Sequence, residues 1–402
     1  MKRDESRKVS RRGFLRTAAM ATIGASTVSL VKAESVSGTE ANSKIQFGFI
    51  GCGGRGNGDA AGFVRTGDCT IVAVSDWFED RAKSAQRAFR VDESRCFVGE
   101  HGYRKVLAMK EVDAIIQTTP PGFRPRHFVE AVDAGKHVFM EKPVAVDTWG
   151  CRQVLEVGEK AKAKKLSVMV GMQMHHDNEY IGAQKKVAEG ALGTLVQGRA
   201  VYTFGPFHVG ERAPDPLTRD WMVRHWYCFR WLSGDFIAEQ NVHCFGILNW
   251  FIGGHPIRCA GYGGRRVRTL HGDIFDHFNL AFEYPGPVHL TYISGQVAKH
   301  CPGVQKELYG TKGSYYAPGT IRSDEGEWHA EGGGNQYEDF VKSLKSGPLL
   351  AEARRGAEGA FTAILGRTAG YTGKEAVWDQ VWKANERLEE RVYPPIESSP
   401  RA

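Results

Sequence analysis

The chain has 402 residues, enough for two or three domains at roughly 150 residues each. Its 11% aromatic and 25% charged residues match an ordinary globular protein and exclude a fibrous or low-complexity chain. The formal charge of +7 would favour an acidic partner, but the first 33 residues hold eight basic and two acidic side chains and so carry +6 of it, which removes the electrostatic case for nucleic acid as a partner.

The N-terminus reads as a targeting segment. Ser10-Arg11-Arg12-Gly13-Phe14-Leu15-Arg16 has the form of a twin-arginine export motif, and a mild apolar run at 17–31 follows it. Val31-Lys32-Ala33 then offers small residues at the positions a signal peptidase reads. As a helix, the run would extend roughly 22 Å, short of the ~30 Å hydrocarbon core. Residues 1–33 are therefore predicted to be a cleaved signal, with an uncleaved tether or lipid anchor as the alternative. The implied partner is the twin-arginine export machinery, and the implied location is the periplasm or another exported site. That route carries folded proteins, often with a cofactor already bound. The eight cysteines show no C-x-x-C pair and no metal-like spacing, so they are predicted to be reduced and buried, and no metal site is expected.

Residues 34–43 are a polar linker. From Lys44 the pattern alternates. Strands are predicted at 45–50, 70–75, 113–118, 137–140 and 166–171, and helices after the first glycine-rich turn and at 79–90, 125–134 and 149–165. This alternation predicts a parallel sheet with crossover helices, over residues 44–173. After about residue 174 the strands at 196–204, 278–284, 288–294 and 305–309 are rich in aromatic and β-branched residues. Glycine and proline turns separate them, which suits an antiparallel sheet. Helices are predicted at 235–251, 336–345 and 353–371. Residues 174–402 are taken as the second domain, and there is no internal repeat.

The turn after the first strand, Gly51-Cys52-Gly53-Gly54-Arg55-Gly56, matches G-x-G-x-x-G and opens a helix, the context that makes the motif informative. Gly51 permits a tight turn, Gly53 lets the backbone approach a pyrophosphate, and Gly56 allows close helix–strand packing. The helix N-terminus offers free N–H groups to the anion. Twenty residues on, Asp76 ends the second strand, where a carboxylate can accept both ribose hydroxyls of NAD and repel a 2′-phosphate. Arg81 nearby keeps NADP open as the lesser alternative.

Glu141-Lys142-Pro143 follows the strand at 137–140, with Thr119, Pro120 and His127 upstream. With these motifs the chain resembles the Gfo/Idh/MocA family of glucose–fructose oxidoreductase, inositol dehydrogenase and relatives, over about residues 44–385. The resemblance implies a Rossmann domain joined to an α/β domain with a large, mainly antiparallel open sheet. It implies a sugar or polyol substrate, a tightly bound NAD given export, and a homodimer or homotetramer formed through the second sheet. It places Lys142 beside the nicotinamide. It also implies an acid four residues before a histidine, which here reads Glu239-Gln240-Asn241-Val242-His243, with Glu in place of the usual Asp.

The chemistry needs such groups. Alcohol oxidation sends a hydride to the cofactor and a proton to a base, and histidine titrates near neutrality. Lys142 supplies a fixed cation for the developing oxyanion. At i, i+4 on one helix, the Glu239 carboxylate is expected to orient the His243 imidazole, with Asp235 as the helix N-cap. Gln173, His175 and His176, after the last parallel strand, are candidate substrate contacts. The aromatic run Trp221, Trp226, Tyr227, Phe229 and Trp231 is read as core or interface packing before sugar stacking. Two other functions stay open. One is redox-neutral glycoside cleavage through a transient keto-sugar, which needs NAD but consumes none. The other is a non-catalytic sugar-binding protein, which retention of Lys142 and His243 argues against.

Overall fold

A computed structural model describes residues 44–206, 214, 217–269, 271–286, 288–297 and 303–390. The targeting segment 1–33, the linker 34–43 and Cys301 lie outside the described residues. Among the described residues no helix is long and apolar enough to cross a membrane, and no group of three metal-ligating side chains comes together. Six of the seven described cysteines are buried.

The first sheet contains β1 (Ile45–Ile50), β2 (Cys69–Asp76), β3 (Cys96–Val98), β4 (Ala114–Gln117), β5 (His137–Met140) and β6 (Val168–Val170). Its order is β3-β2-β1-β4-β5-β6, parallel throughout. Both faces are covered by helices, so β1 and β4 read as near-continuous apolar runs rather than alternating ones. On one face Phe47 stacks on Phe63 at 4.8 Å, and Phe139, Phe340 and Tyr337 close around them. Each fully buried ring of this kind contributes about 1.5–3 kcal/mol.

The second sheet has nine strands. They are β7 (Leu195–Phe204), β8 (Arg258–Gly264), β9 (His277–Tyr284), β10 (Val288–Gln296), β11 (Val304–Gly310), β12 (Gly313–Tyr316), β13 (Thr320–Ser323), β14 (Gly326–His329) and β15 (Ala376–Val377). The order is β14-β13-β12-β11-β7-β10-β9-β8-β15. All pairs are antiparallel except β7 with β10. Strict alternation along β10 buries Leu290 and Tyr292 while His289, Thr291 and Ile293 stay exposed. The helices Val242–Ile252 and Ala353–Thr372 lie on the buried face, where Phe245 meets Phe282 and Tyr292.

Three expectations need correction. The helix predicted at 235–251 is interrupted: Phe236–Glu239 and Val242–Ile252 flank Gln240 and Asn241. Both side chains at the break are held by the sheet, Gln240 Oε1 by Gln296 Nε2 at 2.8 Å and Asn241 Oδ1 by the Tyr292 hydroxyl. Asp235 makes no side-chain cap; it sits at φ +78° and accepts from Phe275 N–H and the Tyr371 hydroxyl. The chain beyond 174 also does not belong wholly to the second sheet. The Gln336–Lys345 helix packs its Phe340 into the aromatic core of the first sheet, and Tyr337 donates to Asp59 at 2.9 Å. Helices Asn178–Ala188 and Arg219–Arg224, strand β8 and the three short strands β12–β14 were not anticipated.

Candidate active site

The glycine turn lies at the C-terminal end of β1. Gly51 has φ +95°, a left-handed conformation that favours glycine. A Cβ on Gly56 would stand 2.3 Å from Gly51 O, so helix and strand approach as closely as backbone allows. At Gly53 and Gly54 a Cβ would meet nothing within 4 Å. The Gly54–Arg65 helix that begins there has no side-chain cap and no acid in its first turn. Its first N–H groups are therefore free for an anion, and the open space beside Gly53 fits a dinucleotide pyrophosphate.

A pocket beside this turn is lined by Gly51, Asp76, Trp77, Thr119, Pro120 and Phe123. Asp76 accepts from Cys52 N–H at 2.7 Å through one oxygen and from Phe78 N–H at 2.9 Å through the other. Each oxygen keeps a second lone pair for a ribose hydroxyl. Burial raises the Asp76 carboxyl above its ordinary range. Arg81 lines the same pocket, its guanidinium 5.2 Å from the Phe78 ring. His127 lies 3.2 Å from the Thr119 hydroxyl and packs on Tyr103. Burial, aided by Arg126, pushes its imidazole down to about 3, so it is neutral at ordinary pH.

Glu141, at the end of β5, is 1% exposed and accepts from Arg55 Nε at 2.9 Å. Arg55 also lies 3.2 Å from Asp59, which burial and the Glu141 charge push up to about 7. Lys142 follows, through a cis peptide to Pro143, and Arg124 donates to the Pro143 carbonyl at 2.7 Å. The Lys142 ammonium donates to the Glu239 carboxylate at 2.8 Å and to the Glu239 carbonyl at 2.7 Å. The structure thus joins the parallel domain to the second domain through two of the predicted site residues.

The role expected of Glu239 is corrected by this pairing. Its carboxylate serves Lys142, and neither imidazole nitrogen of His243 has a hydrogen-bond partner among the described residues. The break at Gln240 and Asn241 ends the continuous helix on which the i, i+4 argument rested. His243 is 8% exposed. Burial first, then Lys142, Lys306 and Arg55, hold it well below its ordinary value. It is a neutral imidazole with a free nitrogen, rather than a group titrating near neutrality.

The turn Gln173–His176 divides. Gln173 reaches Arg55 of the glycine turn, its side-chain Oε1 accepting from the guanidinium at 3.5 Å. His175 stacks on Trp250 at 4.9 Å, with Nδ1 3.3 Å from the Met172 carbonyl. His176 stands between two carboxylates, Asp339 at 2.6 Å and Glu352 at 3.2 Å. Within the protein, His175 is thus held by ring packing and His176 by two carboxylates. Of the aromatic run, Phe229 and Trp231 join Phe123 in a buried cluster, as its packing reading expected.

The Arg219–Arg224 helix of the second domain lies across the Asp76 end of the pocket, which its Val223 lines. Asp220 accepts from Trp77 Nε1 at 2.8 Å, and Arg219 pairs with Glu100 at 2.6 Å. Arg224 makes a two-point contact with Asp80. Each exposed pair is worth at most ~1 kcal/mol, but together they form a clasp over one end of the site.

Fold and site define a two-domain dinucleotide-binding protein with a cationic and imidazole centre at the domain junction. Residues 45–172 match the model described as an oxidoreductase family with an NAD-binding Rossmann fold, and residues 180–316 match the GFO/IDH/MocA C-terminal domain. The chain belongs to the Gfo/Idh/MocA oxidoreductase family. It is 29% identical over 202 residues to inositol 2-dehydrogenase of Burkholderia lata, a match covering 50% of this chain and 58% of that protein. The WlbA dehydrogenase of Bordetella pertussis, solved with NADH and UDP-GlcNAcA, superposes with TM-score 0.65 at 16% identity, covering 83% of this chain and 98% of that one. Aldose-aldose oxidoreductase of Caulobacter crescentus, solved with glycerol, gives 0.64 at 17%, covering 83% and 99%. At such identities the superpositions speak for the fold.

Proposed function

We propose that this chain is an exported oxidoreductase that moves a hydride between NAD and a secondary alcohol or carbonyl of a sugar or polyol, using a cofactor it retains. The observation that carries this reading is the Lys142 ammonium held by Glu239 near the neutral His243, next to an uncapped glycine turn. When bound, NAD supplies the hydride acceptor. The free imidazole of His243 would take the hydroxyl proton of the substrate. Lys142 stabilises negative charge developing on the same oxygen, in a site where burial strengthens the interaction. Glu239 fixes the ammonium, and Arg55 and Gln173 border the cofactor side. The names of the relatives, inositol 2-dehydrogenase and aldose-aldose oxidoreductase, support the substrate class.

Retention is supported by the Arg219–Arg224 clasp, and export by Arg11 and Arg12. An exported protein has no pool of free nicotinamide to draw on, so the two readings support each other. Native mass spectrometry of the purified protein is expected to show near-stoichiometric NAD(H), with turnover that needs none added. Replacing Arg11 and Arg12 with lysine is expected to leave folded, loaded protein in the cytoplasm. Wild-type export of that variant would contradict the twin-arginine reading. The exposed row Arg199, Thr291, Ala281 and Ala260 on the open face of the second sheet is where a second copy would pack.

The histidine sets the expected pH dependence. A base with a lowered pKa loses function only when pH falls through that lowered value. The acid limb of the pH–rate profile should therefore lie well below the ordinary imidazole value of 6.5 and vanish in His243→Ala. A limb centred near 6.5 that disappears with His243 would overturn the buried-imidazole account.

A further inference from the structure

Five lysine and arginine side chains are buried among the described residues, and four of them have evident partners. Lys136 donates to the carbonyls of Met109 and Val112. Arg124 donates to those of Thr119 and Pro143. Arg367 donates to those of Val146 and Gly234, and Arg268 to the Gln296 side chain. Lys306 differs. It is 3% exposed, yet among the described residues its ammonium makes no ion pair and no hydrogen bond. It lies over the face of the Tyr180 ring, at 5.3 Å.

The placement follows from the strand. Along β11 the side chains of Lys306 and Leu308 point to the buried face of the sheet. Lys306 pairs in register with Ala200 of β7, which pairs in turn with Tyr292 of β10. The tyrosine that bonds Asn241 thus shares a row with Lys306, beneath the helix that begins at Val242 and carries His243. Lys306 is also one of the cations that hold the His243 imidazole neutral. The other cations facing that histidine are balanced: Lys142 by Glu239, Arg55 by Glu141 and Asp59. Lys306 therefore leaves one uncompensated positive charge near the reacting centre. No carboxylate among the described residues pairs with that ammonium, so its donors stay available to an acidic group from outside the chain.

We propose that Lys306 is the subsite for an acidic group on the substrate, and that the substrate is a sugar or polyol bearing a carboxylate, such as a uronate. This deepens the reading of the site as a sugar oxidoreductase and rests on it. The carboxylate would pair with the ammonium while a hydroxyl of the same molecule reaches His243 and Lys142.

Ligand binding to the purified, cofactor-loaded protein tests this without relying on turnover. The probes are D-glucuronate, D-glucose and D-glucose 6-phosphate, each titrated into wild type and Lys306→Met by calorimetry and thermal shift. The methionine keeps a flexible chain and removes the charge. Glucuronate is expected to bind wild type at least about tenfold more tightly than glucose, the scale of one charge-assisted hydrogen bond. Lys306→Met should erase that preference and leave glucose binding unchanged. Without ligand the variant should melt close to the wild-type temperature, since the lost ammonium makes no ion pair and no hydrogen bond among the described residues. Equal glucuronate binding by both proteins, a preference for glucose or its phosphate, or a marked loss of thermal stability in the variant would each overturn the proposal. Reduction of the bound nicotinamide, followed separately by its absorbance, reports on the oxidoreductase reading. Lys306-dependent binding of glucuronate without nicotinamide reduction by any probe would count against that reading and not against the acidic subsite.

Discussion

Lys142→Ala and His243→Ala are each expected to lower turnover by about a hundredfold or more while the purified protein keeps its nicotinamide. In the proposed mechanism both side chains address the substrate oxygen, and neither lines the pocket beside the glycine turn. Lys142→Ala has a second consequence, because it leaves the Glu239 carboxylate, 13% exposed, without its cation. Removing one partner of a fully buried pair costs about 3–5 kcal/mol, and this less buried pair should lose less. The double variant Lys142→Ala with Glu239→Gln removes the orphaned charge. It should regain thermal stability and stay as inactive as the single variant, which separates the chemical role from the structural one. Glu239→Gln alone should cost less turnover, since the amide still accepts from Lys142. Turnover per bound nicotinamide, measured beside melting temperature, checks all four proteins, and unchanged turnover in both alanine variants would remove the mechanism.

Gly53→Val is expected to abolish dinucleotide binding in a protein that still folds. The added side chain would enter space that is empty of protein, where the pyrophosphate would lie. Gly56→Val is expected to fail differently: its Cβ would stand 2.3 Å from Gly51 O and 2.4 Å from the Thr118 hydroxyl oxygen, so the turn itself would be displaced. Bound cofactor and melting temperature together distinguish the two. At the other end of the site, Asp76→Ala should weaken NAD more than NADP. Equal loss of both would remove Asp76 as the ribose reader.

The parts of this molecule legible in the sequence are those set by neighbours along the chain. β1, its glycine turn and β5 follow from short apolar runs and from Gly51 and Gly56, and Lys142 stood out because Glu141 and Pro143 flank it. The role of Glu239 was misread for a physical reason. Helical spacing aimed it at His243, but Gln240 and Asn241 are pulled onto a sheet whose partners, Gln296 and Tyr292, lie more than fifty residues away. His175 and His176 looked like ligands at a strand end. Whether they face a substrate depends on Trp250, Asp339 and Glu352, which no local pattern connects to them. Asp59 gains its partner Tyr337 only when the Gln336–Lys345 helix returns to the first domain. The one local sign of Lys306 is a lysine at an inward position of an alternating strand, in Val304-Gln305-Lys306-Glu307-Leu308.

The central claim is that a retained nicotinamide exchanges hydride with a sugar or polyol at Lys142 and His243. It is tested most directly by mixing purified protein, without added NAD, with a panel of neutral and acidic polyols and watching the reduced-nicotinamide absorbance. The account predicts that at least one polyol reduces the bound cofactor, that a matching carbonyl compound reoxidises it, and that His243→Ala holds the same cofactor but shows neither change. A protein that purifies without nicotinamide, or one whose bound cofactor stays unchanged with every polyol and carbonyl tried, would contradict it.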